Sequence, residues 1–282
     1  MDWNKTNTVL IVAFIILNIF LYSSSYNNIF SEEYEVSSDS DFISNVEEIL
    51  KEKNIVISCD LPDETYMLPT LDTEYELIHI STELLNRFLG SGIEPVDGVA
   101  IYENNSGEIL EIKDEKKLIY TSREIISGAE IAQAELTEHI NDFLQDKDIN
   151  RDGYSENYNQ FYNGGFIVVY TKKHNNFSMD NSYMKFYLDK EGIYKFEMQN
   201  IAAATETAEK IRTFSAAEAL PRLLSFEEIK NNEIIQIEMT YYSVEDENWQ
   251  FISRINSYPV WKVIFRDGTQ KHLSSINTYS VD

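Results

Sequence analysis

The residues whose types and spacing could bind a ligand form one polar stretch near the middle of the chain. Its oxygen-bearing side chains recur at alternate positions: Asp148, Asn150, Asp152, Tyr154 and Glu156. Together with Gly153 they match the first nine positions of a calcium-binding EF-hand loop, and an amphipathic helical pattern precedes them. Position twelve is Asn159 instead of a bidentate carboxylate, and the following pattern is strand-like. We therefore predict a solvated polar turn here, with a calcium site as the alternative.

Spacings typical of catalysis are missing from the sequence. The four histidines, His79, His139, His174 and His272, lie far apart and form no HExxH spacing, so we interpret each as a surface or strand residue. The sequence has no Gly-x-Ser-x-Gly elbow and no glycine-rich phosphate loop, and Cys59 has no neighbouring histidine. We therefore expect no catalytic residues, no enzyme activity and no cofactor.

Two tryptophans could contact a ligand. Trp261 follows Pro259 in Tyr-Pro-Val-Trp-Lys-Val, which is more typical of an edge strand that carries a core tryptophan than of a ligand platform. Trp249 lies among polar residues in Asp-Glu-Asn-Trp-Gln. We therefore regard Trp249 as the better candidate for an exposed contact.

The elements that would position these residues follow from the periodicity of apolar side chains. Helical spacing predicts helices at 42–50, 84–89, 128–146 and 203–230, the last broken near Pro221. Runs rich in β-branched and aromatic residues predict strands at 55–58, 65–68, 75–80, 99–103, 108–112, 117–121, 166–171, 182–188, 193–198, 233–244, 258–265 and 269–276. Residues 128–282 then show a helix followed by three strands twice.

The predicted fold class is α+β, with antiparallel sheets backed by helices. We divide the chain into four segments: residues 1–25, a cytoplasmic N-terminus and transmembrane helix; 26–40, a linker; 41–127, a membrane-proximal domain; and 128–282, a distal domain. The body carries the whole net charge of −25, because Asp2 and Lys5 cancel, and this charge excludes nucleic acid as a partner because phosphate binding needs concentrated positive charge. Cys59 is the only cysteine, so no intrachain disulfide can form.

The first twenty-two residues predict a single membrane span. The 19 steps from Trp3 to Tyr22 cover roughly 28 Å as a helix, close to the thickness of the hydrocarbon core. Lys5 favours a cytoplasmic N-terminus and an extracellular body at the plasma membrane. The alternative is a cleaved signal peptide, since Ser23 and Ser25 are small enough for a peptidase site.

Polar side chains in this span suggest a contact surface. One helix face carries, at spacings of three and four residues, Thr8, Ile11, Ile15, Asn18 and Tyr22. An asparagine at bilayer depth can donate a hydrogen bond to a neighbouring helix. We therefore predict that these five residues bind a partner, although hydration of Asn18 near the outer interface is an open alternative.

The opening residues resemble those of a known family. Met-Asp-Trp-Asn-Lys-Thr at 1–6, and the apolar span ending Ile-Leu-Asn-Ile-Phe-Leu at 16–21, are similar to the start of the YycI (WalI) family. Aromatic residues at 158–164 and the late Tyr-Pro-Val-Trp agree in outline, with a Gly turn at Asp267-Gly268. Gly165 stands where the resemblance leads us to expect proline, and the body is more acidic than we expect for the family.

The resemblance implies a membrane-anchored accessory protein. Its implied partners are a YycH-like protein and the WalK (YycG) sensor histidine kinase, which controls cell-wall metabolism, and its implied fold is a two-domain α+β ectodomain related to part of YycH. The family has no catalytic residues to carry over. The alternative function is an anchored extracellular module that binds a cell-wall component or a divalent cation.

Overall fold

The computed structural model describes residues 40–96, 100–126, 132–162, 164–245 and 249–276. The chain divides into two units, residues 1–45 and 46–282. The first unit is described only from residue 40, so the predicted membrane span and most of the linker lie outside the described residues. Within the described ranges, no helix is both long and apolar enough to cross a membrane.

The described ranges contain four α-helices and fourteen β-strands. The helices are α1 (Ser40–Lys51), α2 (Thr82–Leu89), α3 (Gln133–Asp146) and α4 (Ala216–Ala219). The strands are β1 (Ile55–Ile57), β2 (Met67–Tyr75), β3 (Glu94–Pro95), β4 (Ile101–Glu103), β5 (Ile109–Lys113), β6 (Lys117–Thr121), β7 (Tyr154–Tyr162), β8 (Gly165–His174), β9 (Phe177–Asp189), β10 (Gly192–Gln199), β11 (Ile201–Arg212), β12 (Asn232–Tyr242), β13 (Arg254–Phe265) and β14 (Gln270–Ser274). Two 3-10 helices are Leu220–Ser225 and Trp249–Phe251.

The strands join into one mixed sheet. Its hydrogen-bonded order is β11-β2-β13-β12-β9-β10-β6-β5-β4-β3, with β1 beside β12, β14 beside β13, and β7 and β8 extending from β9. The β1–β12 and β12–β9 pairs are parallel and the other pairs are antiparallel. The predicted α+β class is confirmed, but the prediction of purely antiparallel sheets is corrected by these two parallel pairs.

Local sequence explains where the helices begin and end. The Ser81 hydroxyl accepts a hydrogen bond from the Leu84 amide (3.1 Å) and caps α2, and Gly90 ends this helix with a positive φ of 71°. In α3, Leu136, Ile140 and Leu144 are buried at a spacing of four residues. The helices predicted at 42–50 and 84–89 are confirmed, and the one at 128–146 is confirmed from Gln133 onwards.

Strand β9 separates two kinds of surface. Its residues Met184, Phe186 and Leu188 are buried in the core that includes side chains of α2 and α3. The alternating residues Tyr183 and Lys185 lie on the opposite, polar face, because successive side chains of a strand point to opposite sides. Helices therefore cover one face of this part of the sheet, and the polar residues of β9 lie on the other.

The helix predicted at 203–230 is wrong. Residues 201–212 form the edge strand β11. The helical residues between β11 and β12 are those of α4 and the 3-10 helix Leu220–Ser225. The pattern Ala-Ala-Ala-Thr-Glu-Thr-Ala-Glu favours a helix by propensity, yet β11 pairs with β2 from Ile201 to Arg212. Tertiary pairing overrides propensity here, because intrinsic preferences are worth only tenths of a kcal/mol per residue.

Two further details of the sequence-based architecture are corrected. The polar segment after α3 contains strand β7, so four strands and β11 follow this helix instead of three strands. The strands predicted at 65–68 and 75–80 overlap β2 only at residues 67–68 and at Tyr75, and residues 76–80 form no strand, so the prediction of a separate strand at 75–80 is wrong. The sheet also crosses the boundary that we placed between residues 127 and 128, because β6 pairs with β10, and β2 pairs with β11 and β13.

Gly165 begins β8 at a point where the backbone of β9 is very close. A Cβ added at Gly165 would meet the carbonyl oxygen of Leu188 well inside van der Waals contact. A side chain at this position would therefore push β8 away from β9. This close approach explains why glycine occupies the position where the family resemblance led us to expect proline.

Candidate functional site

Strand register brings a cluster of charged side chains together at the centre of the sheet. Lys262 on β13 lies directly opposite Glu238 on β12 and His272 on β14. The side chain of Lys262 is only 2% exposed, and its Nζ lies 3.5 Å from Glu238 Oε1. A buried ammonium group needs compensating partners, because isolated charges are costly to remove from water.

Asp180 supplies the main compensating charge. The pairing of β8 with β9 shifts between Thr171 and Lys172, so residues 180–182 of β9 have no partner in β8. The Asp180 carboxylate lies 3.2 Å from Lys262 Nζ and 2.6 Å from His272 Nε2, and it accepts a hydrogen bond from the Thr240 hydroxyl (3.1 Å). Burial alone would raise the pKa of Asp180, but Lys262 and His272 outweigh it and lower the pKa to about 2.

Neutral side chains complete the cluster. Lys262 Nζ donates to Asn157 Oδ1 (2.8 Å), and Asn157 Nδ2 donates to Glu238 Oε1 (2.8 Å). The His272 ring stacks on Tyr242 at 3.7 Å between centroids. Each charged group therefore has partners, and a satisfied buried network of this kind stiffens the strands that it joins.

A second buried ion pair holds the far end of β9. Arg123 donates two hydrogen bonds of 2.6 Å to Asp189, one to each carboxylate oxygen. The amides of Ile126 and Glu191 donate to the same carboxylate, whose side chain has no exposed area. Burial opposes ionisation of Asp189, but these donors prevail and lower its pKa to about 2. The bidentate geometry fixes the segment after β6 against β9.

The candidate calcium loop lines a separate cleft of about 400 Å³. Asn150 and Asp152 bond each other there, with Asn150 Nδ2 donating to Asp152 Oδ2 (2.9 Å). Tyr154 donates to Asn200 (2.9 Å), and Glu156 accepts from the Asn159 side chain (2.6 Å). Within the part of the chain that the structure describes, no three His, Cys, Asp or Glu side chains are grouped to hold a metal ion. Calcium binding by Asp148 and its neighbours stays a hypothesis.

Trp261 and Trp249 are both buried, which agrees with the prediction for Trp261 but not with the one for Trp249. Trp261 is 1% exposed and donates its indole N–H to the Phe214 carbonyl (2.9 Å), which confirms the predicted core tryptophan. The predicted edge strand is wrong, because β13 pairs with β12, β14 and β2. Trp249 is 5% exposed and packs edge-on against Tyr75 at 6.0 Å, with Lys116 Nζ 4.7 Å from its ring centroid. The interpretation of Trp249 as an exposed contact is therefore wrong.

A model of the YycI protein family matches residues 33–282. This chain belongs to the YycI family. The match covers nearly all of the chain beyond the first thirty-two residues, so it is independent of the opening residues that carried the resemblance in the sequence.

Solved structures extend the comparison of this YycI family member. The crystal structure of YycH from Bacillus subtilis is similar with a TM-score of 0.54 at 12% identity, over 75% of this chain and 53% of that chain. The YycI chain thus spans about half the length of that YycH chain, and the likeness concerns the fold alone. An uncharacterized protein from Eubacterium rectale has a TM-score of 0.46 at 11% identity, over 85% of this chain and 99% of that chain. No curated protein matches the sequence.

Sequence reasoning missed the charged cluster of this YycI family member. His272 lies in β14, in agreement with the interpretation of the histidines as surface or strand residues, but its contact with Asp180 and its stacking on Tyr242 were not predicted. One signal was available, since Lys262 interrupts the apolar run Val-Trp-Lys-Val-Ile-Phe of a buried strand. A lysine in such a run predicts a buried acidic partner, but the partner's position depends on sheet order. The predicted contact residues, Thr8, Ile11, Ile15, Asn18 and Tyr22, lie outside the described residues.

Proposed function

We propose that this YycI family member is a single-pass plasma-membrane protein that regulates the WalK (YycG) sensor histidine kinase together with a YycH-like protein, and so influences cell-wall metabolism. The family match over residues 33–282 is the observation that carries the proposal. The YycH-like fold supports a partnership between two related extracellular bodies. In this proposal the chain is a regulatory accessory protein and does not act as an enzyme.

The proposed mechanism uses both ends of the molecule. The N-terminus is cytoplasmic, and the face carrying Ile11, Ile15 and Asn18 packs against the transmembrane helices of the kinase. The sheet-rich body lies outside the membrane and pairs with the YycH-like protein. A difference of a few kcal/mol between contacts made with two kinase states is enough to shift the kinase population.

The stiffness of the body fits this role. The Asp180–Lys262–His272 cluster and the Arg123–Asp189 pair each join segments that are distant in sequence. A body held in this way transmits the position of a partner to the anchor instead of deforming locally. The proposed signal is therefore geometric, and it needs no chemical step within this chain.

An anchor exchange tests the proposal. Residues 1–22 are replaced by an unrelated membrane span of equal length, and kinase output is followed by the phosphorylation of its response regulator in cells. We expect regulation to be lost while the protein stays at the membrane at normal abundance, because the contact face is removed and the body is unchanged. A matched variant that keeps the native span and carries Lys190→Met controls for substitution elsewhere.

Unchanged kinase output after the exchange would refute a role for the anchor. In the alternative function, a binding module for a wall component, any span of the right length would serve. The same exchanged protein would then still bind purified cell-wall material, whereas a YycI regulator acting through its anchor would show no such binding. The two functions therefore give opposite results with one variant.

A further inference from the structure

A polar recess opens beside the charged cluster, on the face of β9 opposite α2 and α3. Its volume is about 190 Å³, well above the ~10 to 15 Å³ that a site for one water molecule needs by the same measure. The charged side chains that line it are Lys117, Lys185, Lys262, Asp180 and Glu197, with His272 at one side. Three lysines thus face two carboxylates, in a chain whose net charge is −25.

Lys185 has no direct hydrogen-bond or ion-pair partner among the described residues. Lys262 is surrounded by Asp180, Glu238 and Asn157, and Lys117 Nζ lies 3.6 Å from Glu197. Among the described residues, Lys185 Nζ makes neither a hydrogen bond nor an ion pair; it lies 5.0 Å from the centroid of the Tyr187 ring, and the Glu197 carboxylate acts on it only from beyond ion-pair distance. Burial lowers the pKa of Lys185, in keeping with a partly desolvated ammonium group.

Thr171 provides a second unused group in the same recess. The residue is 1% exposed, and its Oγ1 has no hydrogen-bond partner among the described residues. Buried hydroxyl groups normally have a partner, so this one needs an explanation. On the sheet Thr171 pairs with Tyr183, two residues before Lys185. Thr171 and Lys185 are therefore diagonal neighbours on one face, within reach of a common ligand.

The chemistry of these groups selects the ligand. An ammonium group donates hydrogen bonds and accepts none, and a threonine hydroxyl can donate one. A cation would lie beside an ammonium group that can only donate hydrogen bonds, and a neutral sugar would add no opposite charge next to Lys185. We propose that the recess binds a small oxyanion, a phosphate or carboxylate group, between Lys185 Nζ and Thr171 Oγ1. This inference is independent of the proposed regulatory role.

Titration of the full-length chain in detergent micelles tests the site. Inorganic phosphate and, separately, acetate are added at constant ionic strength and pH 7, and binding is followed by isothermal titration calorimetry. We expect saturable binding of at least one anion. Lys185→Met should weaken it at least tenfold, and Thr171→Val should weaken it severalfold. The anion that binds tells whether the natural ligand carries a phosphate or a carboxylate.

Lys190→Met is the matched control, because Lys190 is exposed in the turn after β9. It should bind the anion as the unchanged protein does. Absence of saturable binding of both anions would overturn the proposal, and so would equal affinities for the Lys185→Met and Lys190→Met proteins. If Lys185→Met does not fold, as judged by circular dichroism, the nearly isosteric Thr171→Val decides: unchanged affinity overturns the site.

Discussion

Lys262 and Asp180 form an ion pair across an intervening strand, with Nζ 3.2 Å from Oδ1 and with side chains only 2% and 6% exposed. They belong to β13 and β9, which β12 separates in the sheet. The parallel β12–β9 contact is short and involves only Ser178 and Met179 of β9. The ion pair therefore reinforces a place where two parts of the sheet are joined by only two residue pairs.

Replacing Lys262 should destabilise the protein strongly. Lys262→Met leaves the Asp180 carboxylate buried without its main counter-charge, and we expect the free energy of unfolding to fall by about 3 to 5 kcal/mol. Urea unfolding of the full-length chain in micelles measures this change. The exposed Lys190→Met should stay within about 0.5 kcal/mol of the unchanged protein. Equal effects of the two substitutions would show that the buried pair contributes nothing.

Stability should depend on pH through Asp180. Its pKa is lowered from 3.8 to about 2 in the folded protein. The stabilisation is therefore complete above about pH 4 and is lost as the pH falls through 2, because protonation then costs the folded state its ion pairs. Between pH 4 and pH 2 we expect the free energy of unfolding to fall by about 2 kcal/mol more for the unchanged protein than for Asp180→Asn.

Asp180→Asn must be compared with the unchanged protein because Asp189 has a similarly lowered pKa and titrates in the same pH range. Urea unfolding at intervals of half a pH unit gives, for each of the two proteins, the slope of the free energy of unfolding against pH. Asp152→Asn, at an exposed position, should keep the slope of the unchanged protein. Parallel curves for Asp180→Asn and the unchanged protein would contradict the assignment.

The Arg123–Asp189 pair should depend on the shape of the guanidinium group. Arg123→Lys keeps the positive charge but removes the two parallel hydrogen bonds, so we expect the free energy of unfolding to fall by about 1.5 to 3 kcal/mol. Thermal unfolding of Arg123→Lys, with Arg87→Lys as the control variant, measures this loss. Arg87 pairs with Glu83 on the exposed side of α2, where such a pair is worth about 0.3 to 0.5 kcal/mol. Similar shifts for both variants would argue against a bidentate contribution.

Calcium should not stabilise the body. Asn159 replaces the closing carboxylate of the loop, and Tyr154 and Glu156 lie in strand β7 with other partners. We expect calcium at about 1 mM, a concentration that saturates weak extracellular sites, to leave the melting temperature unchanged. A rise that Asp152→Asn abolishes, and that Asp142→Asn on α3 retains, would establish the site.

The predicted anchor face can be tested by one substitution. Asn18→Leu removes a hydrogen bond worth roughly 0.6 to 2 kcal/mol between membrane helices, so we expect less kinase to co-purify with the variant from membranes. Leu17→Asn, one position along the same span, serves as the control because it places the same polar group on another face. Equal recovery of the kinase with Asn18→Leu and with the unchanged protein would count against the face.

Local patterns gave most individual elements. The short helix α2 ends at Gly90, and the alternating residues of β8 to β10 predict three adjacent strands. Two long strands were not predicted. The alanines and glutamates of β11 favour a helix when isolated from β2, and the polar residues of β7 favour a loop when isolated from β8. Secondary structure was predictable where local preference and tertiary pairing agree, and it was wrong where pairing with another strand overrides the local preference.

Residue types and local spacing are enough to predict the α+β class and an acidic body without an intrachain disulfide, and the opening residues are enough for a resemblance to the YycI family. The pairing of β1 and β2 with strands from the end of the chain, and the meeting of Asp180, Lys262 and His272, follow only from the folded structure. The same holds for Lys185 and Thr171, which share one face of the sheet. Such contacts depend on strand order and register, and a register shift of one residue would move each side chain to the opposite face.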